Sequence, residues 1–241
     1  MPDATAPVFP YIAIGVPSTG TWKAKTAVCI VDMAVMSAAA RVLTKGMGAE
    51  GAYTETNRNN IVRSVLASTD PIAGILWVDS DMQFPPDTLL HLMSHRKDIV
   101  GATYRERQEP YRYLGRFSDD SDAHCWEGGL HQAELLPGGM ILVRTEVYRR
   151  LPPPWYKLDE DGWRDDYHFC VEARKAGYEV WCDMDLTRKV IHRGEQEVGW
   201  FQEGEEAVRR SDDPRWRIFD QLQTPGRADP GEAVTLSARR G

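Results

Sequence analysis

The chain has 241 residues, 42% hydrophobic and 27% charged, a balance that supports a buried core and excludes a chain too polar to fold. Its net charge of −7 excludes a uniformly basic, nucleic-acid-coating surface. Four cysteines (Cys29, Cys125, Cys170 and Cys182) show no CxxC spacing, which argues against a disulfide scaffold or a structural zinc site. Reduced thiols in a cytoplasmic protein are therefore expected. No apolar run approaches the roughly 18 residues of a membrane span, and residues 1–10 lack the basic and apolar parts of a signal peptide.

In chain order, residues 11–16 (YIAIGV) read as a buried strand, ended by a loop at Pro17-Ser18-Thr19-Gly20. A helix is expected from Lys25 to about Leu43, and its apolar stretch 27–40 reads as buried. The Gly-rich residues 44–52 read as a connector to a short strand near Tyr53. Ile61, Val62, Val65 and Leu66 share a helical face, with Asn57 or Asn59 as the cap. Asp70-Pro71 breaks that helix. Residues 75–78 (ILWV) form a strand that stops at Asp79-Ser80-Asp81. A helix follows from Pro85-Pro86 to His95, with Leu89, Leu90, Leu92 and Met93 inward, and residues 98–102 form another strand.

The alternation of strand and helix predicts an α/β fold with a mainly parallel central sheet and helices on both faces. Ligands gather at the carboxyl ends of such strands, where Asp79 to Asp81 stand. Beyond residue 103 the pattern loosens, and residues 104–131 read as a hairpin or an excursion over the sheet. Residues 140–143 form a strand and 145–150 a helix ended by Pro152-Pro153-Pro154. Residues 157–164 read as a loop, 167–176 as a helix stopped by Gly177, and 178–181 and 190–191 as late strands. One domain is expected over residues 1–194, with a donor half at about 11–103 and an acceptor half at about 104–194. Residues 195–241 are expected to form an extension that is flexible at its end.

Two carboxylates one residue apart at a strand end make a hard oxygen site, suited to Mg²⁺ or Mn²⁺ holding a diphosphate. Asp165-Asp166, before the 167–176 helix, offers a general base, and equally offers favourable charge at a helix N-terminus. His192, after a strand, can complete a metal shell. Gly138-Gly139 before a strand lets a sugar or phosphate approach the backbone. Arg58 at a helix opening can hold phosphate. Trp155, Tyr156 and Trp163 are acceptor-site candidates. His91 and His95 lie four apart on a helix, a zinc-like spacing without a neighbouring catalytic Glu, and read as surface residues.

The ordered set resembles family 2-like glycosyltransferases of the GT-A (Rossmann-like) fold. The matching blocks are Ile14-Gly-Val-Pro-Ser18, Asn57-Arg-Asn59, Leu76-Trp-Val-Asp-Ser-Asp-Met82 with Phe84-Pro-Pro-Asp87, and Asp98-Ile-Val-Gly101. They continue with Gly138-Gly-Met-Ile-Leu-Val-Arg144, Asp165-Asp-Tyr-His-Phe-Cys170, Ala173-Arg-Lys-Ala-Gly-Tyr178, Trp181 and Val190-Ile-His192. The resemblance implies Asp79 and Asp81 as a DxD pair, with Asp81 the direct metal ligand and His192 a late metal ligand. It implies Asp166 as the base of an inverting transfer, with Asp165 standing where Glu is usual. Pro17, Ser18, Thr19, Arg58, Ser80, Gly138 and Gly139 fall at the donor site.

The expected reaction moves a sugar from a UDP- or GDP-linked donor to an acceptor hydroxyl with Mn²⁺ or Mg²⁺. The alternatives are a nucleotidyltransferase acting on a sugar phosphate and a non-catalytic sugar-nucleotide-binding module. The acceptor is open among a lipid-linked sugar, a protein, a small molecule and modified DNA. Arg105, Arg107, Arg112 and Arg116, interleaved with Tyr104, Tyr111 and Tyr113, offer a basic aromatic surface for an anionic acceptor. The competing reading of that segment is a solvated hairpin.

Overall fold

The computed structural model describes residues 10–106, 113–117, 128–158, 164–193 and the backbone of 197–198. The elements are β1 (Tyr11–Ser18), α1 (Ala24–Ala39), β2 (Leu43–Glu50), α2 (Thr54–Leu66), β3 (Ile72–Val78), β4 (Met82–Gln83) and α3 (Thr88–Ser94). They continue with β5 (Ile99–Gly101), β6 (Arg116–Phe117), β7 (Leu130–Leu135), β8 (Met140–Arg144), α4 (Thr145–Arg150) and α5 (Asp165–Lys175). The last are β9 (Val180–Asp183), α6 (Met184–Thr187), β10 (Ile191–Arg193) and β11 (Glu197–Val198). The expected C-terminal extension falls almost entirely outside the described residues. Among those residues no helix is long and apolar enough to cross a membrane.

The fold is mixed α/β. Its main sheet has the strand order β2-β1-β3-β8-β5-β9-β7-β6, and a small sheet has the order β11-β10-β4. The continuous apolar runs of β1, β3, β5 and β8 take its interior positions, as strands covered on both faces require. β1 pairs in parallel with β2 and β3, and β5 with β9. β8, however, lies antiparallel between β3 and β5, and β7 is antiparallel to β9 and β6. The mainly parallel expectation is thereby corrected to a mixed sheet. The early βα alternation determines only the first three strands, and chain order gives no sign that β8 inserts backwards.

Four local expectations also change. Residues 44–50 are not a connector. They form the edge strand β2, in unbroken parallel register with β1 from Tyr11↔Leu43 to Ser18↔Glu50. The ladder outweighs the weak strand propensity of Gly46 and Gly48, whose open side would accept a Cβ. Tyr53 precedes α2 rather than forming a strand, and Asn57 and Asn59 lie inside α2 rather than capping it. Helix α1 is not buried all round. Thr26, Met33 and Ser37 face inward, whereas Val28, Val31 and Val35 are about 59–66% exposed. The helix ends at Ala39, with Arg41 in the left-handed region (φ 61°) and Val42 N–H donating to the Ser37 carbonyl.

One core layer joins Ile12, Ile14, Leu76, Val78 and Leu142 of the sheet to Met33, Leu89 and Leu92 of α1 and α3. On the other face, Ile61, Val62 and Val65 of α2 are buried with Val147 and Tyr148 of α4. Trp77 Nε1 donates to Tyr148 Oη at 2.7 Å, and Tyr148 Oη meets Tyr156 Oη at 2.7 Å. The Tyr156 ring stacks on Phe169 of α5 with centroids 5.2 Å apart. Trp155 and Tyr156 are therefore core residues rather than exposed sugar platforms. Trp163 lies outside the described residues.

Gly101 sits where β5 is clasped between β8 and β9. A Cβ there would press on the Met140 carbonyl and lie 2.9 Å from Ile141 Cα. Backbone on a central strand cannot step aside cheaply. Gly101→Ala is expected to lower the unfolding free energy by about 1–3 kcal/mol. The readout is a lower urea midpoint at an unchanged m-value, and an unmoved midpoint would contradict the close approach.

Candidate functional site

The carboxyl ends of β1, β3, β5 and β9 lie along one edge of the sheet, and β8, running against them, begins there. This edge gathers residues distant in sequence. Asp79 leaves β3 with its N–H donating to the Gly139 carbonyl at 3.1 Å, which extends the β3–β8 ladder by one step. The Ser80 carbonyl accepts from Lys23 N, and the Asp81 carbonyl accepts from Arg193 N, both at 2.9 Å. The turn that carries both acids is thus pinned to the start of α1 and the end of β10.

Arg58, only 2% exposed, projects from α2 beneath this turn. Its Nη2 donates to Asp79 Oδ1 at 2.9 Å, and its Nε lies 3.5 Å from Asp165 Oδ2. The guanidinium carbon stands 5.7 Å from the Trp77 ring centroid and 5.5 Å from that of Tyr156. The cation is therefore enclosed by carboxylates and aromatic rings. Asp165 and Asp166 are the first two residues of α5. Asp166 Oδ2 accepts from Gly138 N at 2.7 Å, and its Oδ1 accepts from Tyr167 N at 2.9 Å. Tyr104, just past β5, accepts from Gly139 N at 2.8 Å, and its hydroxyl lies 3.4 Å from Asp79 Oδ2.

His192 enters from β10. Its Nδ1 lies 2.8 Å from the Arg105 carbonyl, which can only accept, so Nδ1 carries the proton. In the neutral ring Nε2 then presents a bare lone pair, and it faces Asp81 Oδ1 at 3.6 Å. An imidazole nitrogen and a carboxylate oxygen placed in this way can share a proton or a metal cation.

Burial dominates the electrostatics. It pushes the carboxyls of Asp79, Asp165 and Asp166 above the ordinary range, with the Arg58 charge opposing at each. Asp81 raises Asp79 further, and Asp165 raises Asp166 further. For Arg58, burial works against the charge, but Asp165, Asp79 and Asp166 outweigh it and keep the guanidinium charged. Burial, reinforced by Asp79, keeps the Tyr104 hydroxyl protonated. Arg164, before α5, is also held charged, with Tyr167 and Asp166 opposing its burial.

The structure brings together Arg58, Asp79, Ser80, Asp81, Gly138, Gly139, Asp165, Asp166 and His192. It also changes the reading of several. Arg58 does not stand at a helix opening to receive phosphate; it is the internal counter-ion of the acids. Gly138 and Gly139 are glycines because protein atoms fill their Cβ space. A Cβ on Gly138 would overlap Arg58 Nη1, and one on Gly139 would meet the Tyr104 hydroxyl and lie 2.6 Å from Asp79 Oδ2. Pro17 and Ser18 are buried at the end of β1, Ser18 Oγ accepting from Gly20 N, while Thr19 is exposed.

Tyr104, Arg164 and the Arg105 carbonyl belong to the site without any motif in the sequence to announce them. The proposed basic aromatic surface does not form among its described members. Tyr104, Arg105 and Tyr113 are buried, and Arg116 pairs with Glu134 at 2.9 Å. Arg107, Tyr111 and Arg112 lie outside the described residues.

No family model matches the chain, and no match is found among curated proteins. Among solved structures the fold is similar to that of A197 from STIV, with a TM-score of 0.53 and 13% identity, covering 83% of this chain and 97% of that one. GalNAc-T7, solved with UDP, GalNAc and Mn²⁺, aligns at a TM-score of 0.47 and 8% identity, covering 89% of this chain and 48% of that one. The first likeness is one of fold, and the second is too distant to bear on function.

Arg58→Met leaves the acids buried without their main counter-ion and is expected to cost about 3–5 kcal/mol of stability. The deficit depends on pH. An acid whose folded pKa is raised contributes stability that is complete below its unfolded value and is lost as pH rises through the folded one. Without Arg58 the three folded values rise further. The variant's deficit, measured by urea unfolding, should therefore be larger at about pH 8 than at about pH 5. Equal deficits would contradict a charge-based role for Arg58.

Proposed function

We propose that the chain is a metal-dependent glycosyltransferase of GT-A type that moves a sugar from a nucleoside diphosphate sugar to an acceptor hydroxyl. The observation that carries this reading is the pair His192 Nε2 and Asp81 Oδ1, 3.6 Å apart at the carboxyl edge of the sheet, with Asp81 one residue on from Ser80 and two from Asp79. The donor set fits a divalent cation: carboxylate oxygens with one imidazole, the imidazole oriented by the Arg105 carbonyl on its far nitrogen. Mn²⁺ suits one nitrogen among oxygens better than Mg²⁺ does.

Asp81 and His192 are the direct ligands in this reading. Asp79 stands beside them, its Oδ1 held by Arg58. The cation would offset the charge that develops on the leaving diphosphate. Residues 17–19 and Ser80 border the position of the nucleotide.

Asp166 is the proposed base. Two backbone N–H groups fix its carboxylate, and each oxygen keeps a second lone pair for an acceptor hydroxyl. Burial and the neighbouring Asp165 raise its proton affinity toward the working range of a base. A single base opposite the leaving group corresponds to inversion at the anomeric carbon.

Mn²⁺ at about 100 times its Kd is expected to stabilise the chain by about 2.7 kcal/mol, read as a rise in Tm. Asp81→Asn and His192→Gln should each abolish that rise. With Mn²⁺, UDP- and GDP-sugars are screened for release of the nucleoside diphosphate. Asp166→Asn should keep the Mn²⁺ shift and lose about 10²–10⁴ in kcat. Unchanged turnover in that variant would remove Asp166 as base. Absence of both a Mn²⁺ shift and turnover with every donor would sink the reading.

A further inference from the structure

A second group of ligating side chains stands outside this site. His91 and His95, one turn apart on α3, were expected at the surface, but both turn inward onto Asp183 at the end of β9. Their side chains are 35% and 21% exposed, and that of Asp183 only 1%. Each Nε2 lies 2.6 Å from the same oxygen, Asp183 Oδ2, and the three ligand atoms fall within 4.8 Å of one another. Only the His95 contact has hydrogen-bond geometry. His91 Nε2 is itself buried and makes no hydrogen bond. The rings meet edge to face with centroids 5.3 Å apart, which directs both nitrogens at one point.

A buried carboxylate needs a positive partner. Asp183 Oδ2 has two lone pairs, yet only the His95 contact is shaped as a hydrogen bond, so the buried His91 nitrogen is left without one. A cation bound by all three resolves it. The second carboxylate oxygen is already oriented: Asp183 Oδ1 accepts from Leu186 N at 2.8 Å as the cap of α6. Support of this kind, behind a ligand, characterises metal sites.

We propose that His91, His95 and Asp183 form a Zn²⁺ site that fastens α3 to the β9–α6 junction. Two imidazoles and one carboxylate leave a fourth, tetrahedral position for water. Donors at Zn–ligand distances of about 2.0–2.1 Å lie about 3.3 Å apart in that geometry. The histidines must then move outward from Asp183 by a fraction of an ångström, toward the side on which they are partly exposed. In the metal-bound state both ring protons sit on Nδ1. This site shares no residue with Asp79, Asp81 or His192 and stands whether or not the chain transfers a sugar.

The test is Zn²⁺ uptake by calorimetry, with Co²⁺ as a visible-absorption probe of tetrahedral coordination. It is run on the full chain, on Asp81→Asn/His192→Gln, and on His91→Gln/His95→Gln. The first two are expected to bind one Zn²⁺ at this site with a tetrahedral Co²⁺ spectrum. The last should lose that spectrum and bind Zn²⁺ weaker by more than about 100-fold, beyond the roughly 10–100-fold that supporting residues cause. If the double variant does not fold, His91→Gln alone, at a partly exposed position, is read in the same way. Equal Zn²⁺ affinity and spectrum in the histidine variants would overturn the proposal, as would a full chain that binds no Zn²⁺.

Discussion

A single guanidinium holds the acidic edge of the molecule together. Arg58 is buried, and burying a charge is costly unless it is paired and hydrogen-bonded. Its pairing with Asp79 and Asp165 joins the end of β3 to the start of α5 through the side of α2. Its two neighbours extend that role. Asn57 Nδ2 donates to the carbonyls of Ser18 and Gly51, tying α2 to β1 and the turn after β2. Asn59 Nδ2 donates to the Tyr156 carbonyl, and its Oδ1 accepts from Trp155 N and Tyr156 N. Three consecutive polar residues, all buried, thus fasten α2 to β1, the turn after β2, the end of β3, the start of α5 and residues 155–156.

This fastening explains why acids far apart in sequence can share one locality. Asp79 and Asp81 are placed by a strand end, Asp165 and Asp166 by a helix start, and His192 by a short strand paired to β4. The order of the main sheet supplies the common edge, and Arg58 with the backbone N–H groups of Gly138 and Gly139 supplies the cross-links. The space those links occupy explains the glycine pair. Residue 138 has no Cβ because Arg58 occupies that volume, and residue 139 has none because Tyr104 and Asp79 do.

The parts of this arrangement legible in the sequence are those with a local signature. The acid pair after the ILWV run, the acids before an amphipathic helix and the stop of α5 at Gly177 (φ 89°) all show in short windows of residues. Strand β2 does not, because its glycines suggest a loop and only the ladder to β1 makes it a strand. The end of α1 does not either, because an arginine rather than a glycine takes the left-handed position. The inward face of α1 combines Met33 with the small polar Thr26 and Ser37 while three valines face outward, so composition misleads about which side is covered. Arg58 beside two asparagines suggests a capped, phosphate-ready helix start. Only the tertiary neighbours of α2 show that all three side chains are internal. Tyr104 has no motif at all, and its place follows from β5 ending at the shared edge.

The reversed direction of β8 has a further effect. A strand that ends at an edge shows carbonyl groups there, whereas a strand that begins at the same edge shows amides. β8, between β3 and β5, starts there, and the amides of Gly138 and Gly139, just ahead of it, donate to Asp166 and Tyr104. Had β8 run with its neighbours, the same place would have presented oxygen to oxygen. The direction of one strand thus fixes the polarity of the ground beneath the carboxylates, and it does so with main-chain N–H groups that every substitution except proline keeps.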